Sequence, residues 1–124
     1  MKTNNFNWEK LSAIYLLTVG VSVLILWTII LSSGEIVEGP IEFSFHLFSE
    51  ILMAVTCILA GMIFLRNRSS SRKMCIAGHS LIIYSVLNAA GYYAQTGSYA
   101  MPVVFIALFL ISMIFVVRFI YYHN

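Results

Sequence analysis

Four long apolar stretches alternate with short polar segments along the chain. They run from about Leu11 to Leu31, Ile41 to Leu65, Met74 to Ala94 and Met101 to Tyr122. Each is close to the ~20 residues that a helix needs to cross a bilayer core of ~30 Å. Because hydrocarbon cannot hydrogen-bond the backbone, such segments must be helical, and short connections make consecutive helices antiparallel neighbours. The pattern predicts an all-α integral membrane protein, a four-helix bundle of up-down topology forming one domain over residues 1–124.

Composition supports a multi-pass protein of the cell membrane whose main partner is the lipid bilayer. Hydrophobic residues make up 60% of the chain and charged residues only 10%, well below the charge of a typical soluble domain. The first stretch is too long for a signal-peptide core, so we interpret it as a retained span. The chain has no Asp, no phosphate-binding glycine loop and no serine nucleophile elbow, which argues against hydrolase and nucleotide-binding chemistry.

Basic residues predict the orientation of the bundle. The seven are Lys2, Lys10, Arg66, Arg68, Arg72, Lys73 and Arg118. They precede the first span, occupy the loop 66–73 or lie near the end of the last span, so all fall on one side. By the positive-inside rule, both termini and this loop are cytoplasmic. Since the loop's charge is accounted for by topology, we predict no nucleic-acid partner.

The two cysteines, Cys57 and Cys75, do not form a CxxC pair. On the predicted topology one lies inside the second span and the other at the cytoplasmic end of the third. Neither position suits an extracytoplasmic disulfide, so we expect free thiols that pack as small apolar residues. This weakens an interpretation as a membrane thiol oxidoreductase.

The second span carries three titratable residues at intervals of four: Glu42, His46 and Glu50. They drift by only about 80° around a helix, so they share one face. Counted from Pro40, they lie ~3, ~9 and ~15 Å deep, which puts Glu50 near the bilayer midplane. A carboxylate there costs roughly 2.5–3.5 kcal/mol, so Glu50 needs a partner, a proton or a hydrated cavity. Glu42 suits the helix N-terminus, and His46 is equally consistent with a hydrogen-bonded interior histidine.

The third span offers a facing surface, because polar residues recur along it at helical intervals. They are Ser80, Tyr84, Asn88, Tyr92 and Gln95. Their depths match those of the acidic and histidine residues on the second span, and Tyr84 and Asn88 are the partners expected for Glu50. The sequence thus predicts a polar pocket between spans two and three in the outer half of the bundle, lined by Glu42, His46, Glu50, Tyr84, Asn88, Tyr92 and Gln95, with Trp27 and Thr28 as contributors from the first span. The alternative is a structural hydrogen-bond network between the two helices.

The same residues could in principle bind a metal ion or a haem. His46 and Glu50 are the candidate metal ligands, but we predict no metal, because the third span supplies Asn and Tyr where further acids would be needed. His46 and His79 fall in opposite halves of the bundle, so they cannot bridge one haem. The sequence leaves the cofactor unknown.

The runs "FHLFSEILMAVTCILAGMIFL" and "GHSLIIYSVLNAAGYYAQ" are similar to small four-span prokaryotic membrane proteins of unassigned function. More distantly, the chain resembles the DoxX-like group, whose second span also carries a Glu ahead of a small-residue stretch ending in Gly. Glu50 and Gly61 match that pattern, whereas the first span lacks the glycine-rich pattern of the group. The resemblance covers roughly the central half of the chain and implies the fold more than an activity.

Three functions remain open. The first is a pocket that binds a small ligand or handles protons. The second is a membrane enzyme or redox subunit acting on a lipid-soluble substrate such as a quinone, with His46 and Glu50 as proton donor and acceptor. The third is an accessory subunit whose polar stripe only packs helices. Homo-oligomerisation and membership of a larger membrane complex are both left open.

Overall fold

Four helices account for almost all of the described chain in a computed structural model, which describes residues 7–34, 38–66, 71–95, 97 and 99–122, apart from the side chains at 71 and 92. They are α1 (Trp8–Ser33), α2 (Pro40–Arg66), α3 (Ser71–Gln95) and α4 (Ala100–Tyr121). All four are long and apolar enough to cross a membrane. The predicted spans lie inside these helices, except that Tyr122 follows the end of α4. The all-α prediction is therefore confirmed.

Local sequence explains several helix ends. The Asn7 side chain accepts a hydrogen bond of 3.0 Å from the Lys10 backbone N–H, which caps the start of α1. Gly34 ends α1 with φ at 70°, a left-handed conformation that glycine adopts without a Cβ clash. Pro40 begins α2, where its missing N–H leaves no hydrogen bond unmade. The chain's own capping residues thus fix where the first connection begins and ends.

Helices α1 and α2 pack closely because each contributes a glycine. A Cβ added at Gly20 would lie 2.8 Å from the Ala54 carbonyl oxygen, and one added at Gly61 would lie 2.9 Å from that of Ala13. The early part of α1 therefore lies against the late part of α2. At the other end of the pair, Trp27 contacts the first turns of α2. Glycine permits this approach because any side chain would separate the two backbones.

Contacts between the other neighbouring helices also join the early part of one helix to the late part of the next. Cys57 of α2 lies beside Gly78 of α3, with 3.6 Å between its thiol sulfur and the glycine carbonyl oxygen. Arg72, in the first turn of α3, donates to the backbone carbonyls of Phe119 and Tyr122 at the end of α4. The starts of α1 and α3 and the ends of α2 and α4 consequently share one end of the bundle. We call it the basic end, because it holds the described basic residues: Lys10, Arg66, Arg72, Lys73 and Arg118.

The interior is apolar and receives side chains from every helix. Leu16, Met53, Ile82 and Phe115 are buried members of one continuous core cluster, contributed by α1, α2, α3 and α4 respectively. The outward faces are also apolar. Val103, for example, is 66% exposed, and many other large hydrophobic side chains are exposed with it. A protein in water rarely exposes so much contiguous apolar surface, whereas lipid would cover it.

Candidate functional site

Glu50 contacts α3 through Ser85, a residue outside the predicted pocket lining. The Ser85 hydroxyl donates a hydrogen bond to Oε1 of Glu50, and both side chains are half-buried between α2 and α3. Tyr84 and Asn88 were expected here, and that expectation is wrong. Tyr84 is 65% exposed on the outside of the bundle, and Asn88 is also exposed.

The reason lies in which face of α3 is buried. Cys75, His79, Ile82 and Val86 recur at three- and four-residue intervals and are all buried, so they form the inward face. Tyr84 lies about 200° around the helix from Ile82, since each residue advances ~100°. Ser85 lies only about 60° from that inward face and therefore reaches α2. The described side chains of this polar stripe are thus turned away from the three α2 residues.

His46 is part of a second polar contact, with Glu38 and Trp27. Its Nδ1 lies 2.9 Å and 3.2 Å from the two carboxylate oxygens of Glu38, eight residues earlier in the chain. The His46 ring also makes an edge-on contact with Trp27, with 5.1 Å between ring centroids. The Glu38 side chain is 19% exposed and that of His46 is 40% exposed. A carboxylate beside imidazole favours the N–H on Nδ1, so Nε2 is directed away from the pair.

The three α2 residues therefore do not converge on one centre. Glu42 is exposed, His46 faces α1 and Glu38, and Glu50 faces α3. The 80° drift that keeps them on one face is enough to change which neighbouring helix each one meets. Gln95 is exposed, and the side chain of Tyr92 lies outside the described residues. We call Glu38, His46, Glu50 and Ser85 the outer cluster.

The fully buried polar side chains of the described residues lie in the half of the bundle nearer the basic end, away from the outer cluster. His79, Ser12 and Ser112 are each 0% exposed. The Ser12 hydroxyl lies 2.7 Å from Nε2 of His79, and the Ser112 hydroxyl lies 3.5 Å from Nδ1. Tyr15 in turn lies 3.1 Å from the Ser112 hydroxyl. We call Ser12, Tyr15, His79 and Ser112 the inner cluster, and it joins α1, α3 and α4.

The donor and acceptor of each hydrogen bond in the inner cluster can be assigned by following the contacts in order from Tyr15 to Ser12. The Tyr15 hydroxyl donates to the Leu108 carbonyl at 3.1 Å, so its oxygen is left to accept from Ser112. The Ser112 oxygen then accepts from Nδ1–H of His79, and Nε2 accepts from Ser12. Every donor is used once, and the described buried side-chain polar atoms all have partners. The cluster therefore suits a neutral imidazole with its hydrogen on Nδ1.

Aromatic rings enclose this imidazole. His79, Tyr15 and Phe115 have ring centroids 4.9–5.7 Å apart, and the His79 ring stacks on both of the others at interplanar angles of 18° and 23°. From the sequence, His79 was placed only in the half of the bundle opposite His46, and this cluster was not predicted. Two signals were present: His79 lies at a heptad-like spacing with Cys75, Ile82 and Val86, and Ser12 and Tyr15 lie one turn apart in α1. Neither signal reveals which helices meet.

The thiols and metal candidates can also be placed. Cys57 and Cys75 are free and buried, as expected of thiols that pack as small apolar residues. Among the described residues, no group of three or more His, Cys, Asp or Glu side chains could hold a metal ion. His46 and Glu50, the metal candidates, instead have Glu38 and Ser85 as their respective partners.

Fold and site together define a class: an all-helical protein with four membrane-length helices and two separate buried or half-buried polar clusters. The chain belongs to the family described as "Domain of unknown function (DUF8058)", whose model matches residues 6–124. No curated protein and no solved structure matches the chain. The DoxX-like resemblance stays a prediction.

Proposed function

We propose that this chain is a four-span integral protein of the cell membrane that handles protons at Glu50, within the outer half of an up-down bundle whose termini are cytoplasmic. The membrane assignment is supported by four membrane-length helices and by their exposed apolar faces. The orientation is supported by the basic end, since basic residues are retained on the cytoplasmic side of membrane proteins.

Reporter fusions test the orientation. A fluorescent protein fused after the C-terminus should fluoresce, because it folds in the cytoplasm, and alkaline phosphatase fused there should be inactive. The same reporters fused after Gly39, which ends the first connection, should give the opposite result. An active phosphatase at the C-terminus would contradict the proposed orientation.

The observation that carries the proton-handling proposal is the contact between the Glu50 carboxylate and the Ser85 hydroxyl across α2 and α3. Glu50 lies ~15 Å along α2 from Pro40, so in a bilayer of ordinary thickness it approaches the midplane. An acid at that depth is costly and typically marks a substrate, ion or proton pathway. A single hydroxyl satisfies one carboxylate lone pair, and among the described residues the other carboxylate oxygen has no hydrogen-bond donor, so it can take a proton or a small polar ligand.

The Glu38–His46 pair supplies a route between Glu50 and the outer surface. His46 lies one turn from Glu50 on the same helix, a rise of ~6 Å, and its Nδ1 is held by Glu38 at 2.9 Å. Imidazole exchanges protons readily near neutral pH, and one water can bridge groups at this separation. In this arrangement Glu38 orients the ring, His46 exchanges protons with the outer surface, and Glu50 is the group that holds the proton deeper in the bundle.

Proton flux into vesicles tests the proposal. Purified protein is reconstituted into liposomes containing a pH-sensitive dye, and the internal pH is followed after an external acid pulse. Wild type should acidify the lumen faster than protein-free vesicles, and Glu50→Gln should remove that difference. Ser85→Ala should change the rate without removing it, because the carboxyl remains. Glu9→Gln is the matched control, since it makes the same chemical change in the first turn of α1, and it should behave as wild type.

Stability measured on the same variants separates function from packing. If Glu50→Gln retains wild-type thermal stability and loses flux, the carboxyl acts on protons. If wild-type flux equals that of empty vesicles, or if Glu50→Gln retains full flux, the proposal is wrong. A variant that loses stability in parallel with flux would assign the Glu50–Ser85 contact to helix packing.

A further inference from the structure

An open groove runs along the outward face of α4, and we propose that it binds one anionic phospholipid, with the phosphate on Arg118 and an acyl chain along the groove. The lining residues are Leu110, Met113, Ile114, Val117, Arg118 and Tyr122. They are spaced by three and four, so they form two adjacent ridges of one helix, and the groove lies between the ridges. Its volume is about 460 Å³, within the ~300–1,000 Å³ of small-molecule sites.

The length of the groove matches one leaflet of a bilayer. Arg118 lies three residues before the last residue of α4, so it is ~4.5 Å from the end of the helix at the basic end. Leu110 lies eight residues earlier, a rise of ~12 Å away from that end. Half of a ~30 Å hydrocarbon core is ~15 Å. A phosphate at Arg118 therefore lies near the membrane surface, and the apolar lining follows the path of an acyl chain into the hydrocarbon.

Two aromatic rings hold the Arg118 guanidinium in position. Its Cζ lies 5.4 Å from the centre of the Trp8 ring and 4.7 Å from that of Tyr122. Such cation–π contacts leave the guanidinium N–H groups unused. Among the described residues, no hydrogen bond or ion pair involves those N–H groups. Because the side chain is already ordered, it can bind a phosphate through two N–H groups at a small cost in entropy.

The charge around the groove indicates that the lipid is anionic. Arg72 also contacts Tyr122, because its guanidinium donates to the backbone carbonyl of that residue. Positive side chains from α3 and α4 thus converge on one residue at the end of the groove. The basic end holds five described basic residues and one described acid, Glu9, which forms no ion pair with Arg118. A zwitterionic headgroup brings a positive charge of its own, whereas an anionic headgroup supplies only the negative charge that this end lacks.

Quenching of Trp8 fluorescence by brominated lipids tests the site. Trp27 is replaced by Phe, so that Trp8 is the only tryptophan. The full chain is reconstituted into phosphatidylcholine vesicles in which a fixed mole fraction of the lipid carries bromine on one acyl chain. That lipid is either phosphatidylglycerol, which is anionic, or phosphatidylcholine, which is zwitterionic. Brominated phosphatidylglycerol should quench Trp8 more strongly, because it is enriched beside Arg118, and the ratio of the two quenching constants measures the preference.

A matched pair of substitutions separates this site from the general charge of the basic end. Arg118→Gln should lower the preference about five-fold, the effect of one arginine beside an anionic headgroup. Arg66→Gln makes the same chemical change at the end of α2, outside the groove lining, and should keep most of the preference. Each variant is compared with itself in two lipids, so a change in Trp8 emission that does not depend on lipid cancels.

Equal quenching by the two lipids in the Trp27→Phe protein would overturn the proposal, and so would equal loss of preference in Arg118→Gln and Arg66→Gln. A second copy covering the groove would exclude both brominated lipids from Trp8 and give a mass of twice 14.0 kDa in mild detergent, which would also overturn it. If Arg118→Gln loses its helical circular dichroism, the lysine pair decides. Arg118→Lys should lower the preference, because lysine cannot bind phosphate bidentately, and Arg66→Lys should not. The site requires a membrane-spanning bundle but not proton handling at Glu50, so the two proposals can fail separately.

Discussion

Replacing His79 with Phe should destabilise the bundle through the loss of two interhelical hydrogen bonds. Phenylalanine keeps a ring in contact with Tyr15 and Phe115, whose centroids lie 5.5 Å and 4.9 Å from that of His79. What is lost is the 2.7 Å contact with Ser12 and the 3.5 Å contact with Ser112. Membrane hydrogen bonds average about 0.6 kcal/mol, with a maximum near 1.7. The two together are therefore worth about 1–3 kcal/mol.

Two further effects change the loss of stability expected for His79→Phe. The freed Ser12 hydroxyl can turn to a carbonyl of its own helix, so it need not remain unsatisfied. Against that, the Phe ring is larger than imidazole and enters a site where His79 is 0% exposed, which adds a repacking cost. A double-mutant cycle removes that cost, because it appears in both variants that contain Phe.

The cycle compares wild type, Ser12→Ala, His79→Phe and the double variant. Stability is followed by circular dichroism as sodium dodecyl sulfate is titrated into mixed micelles. Ser12→Ala should cost about 0.6–1.7 kcal/mol in wild type and close to nothing in the His79→Phe background. Ser49→Ala is the control, because the Ser49 hydroxyl is exposed and donates to the Phe45 carbonyl of its own helix. Its effect should be the same in both backgrounds.

Additive effects of Ser12→Ala and His79→Phe, within about 0.3–0.5 kcal/mol, would refute the inner hydrogen-bond network. The direction of that network has its own readout. Nitrogen chemical shifts of labelled histidine in lipid should report a neutral His79 ring that carries its hydrogen on Nδ1. A hydrogen on Nε2 would contradict the donor assignment while leaving the contacts themselves in place.

Three other predictions concern different parts of the bundle. Gly61→Ala should lower stability by about 1–3 kcal/mol, because its Cβ would lie 2.5 Å from a leucine side chain of α1; Gly91→Ala, which meets nothing within 4 Å, should stay within about 0.5 kcal/mol of wild type. Arg72→Gln should accelerate backbone hydrogen exchange in the last turn of α4, whose carbonyls this guanidinium binds, and unchanged exchange would count against that anchor. With the other tryptophan replaced by Phe, His46→Gln should change the Trp27 emission, because it removes the ring that contacts the indole; unchanged emission would count against that contact.

The helices were predictable because their signal is local. Hydrocarbon leaves a helix as the only solution for an isolated apolar stretch, so length and hydropathy suffice to locate it. The helix ends were less exact, with α1 beginning three residues before the predicted span. Capping by the Asn7 side chain explains this, since it extends the helix into polar sequence that hydropathy does not detect.

The sequence predicted the α2 side of the outer cluster but not the residue of α3 that contacts Glu50. Glu50 was selected from its depth, which follows from counting along one helix. Its partner depends on the rotation of α3, and a turn of one residue, about 100°, separates Ser85 from Tyr84. Polar periodicity identified a stripe but not its direction, because in a membrane a polar stripe can face a pocket or another chain.

By itself the sequence determined the number of helices, their approximate bounds and the clustering of positive charge, because each depends on neighbouring residues in one segment. Only the tertiary structure decided that Glu50 meets Ser85, that Glu38 holds His46, and that His79 joins three helices. Those contacts join residues up to 67 positions apart. They depend on how four rigid cylinders rotate against one another, and that rotation is set by the whole packed core, in which Gly20 and Gly61 allow α1 and α2 to approach.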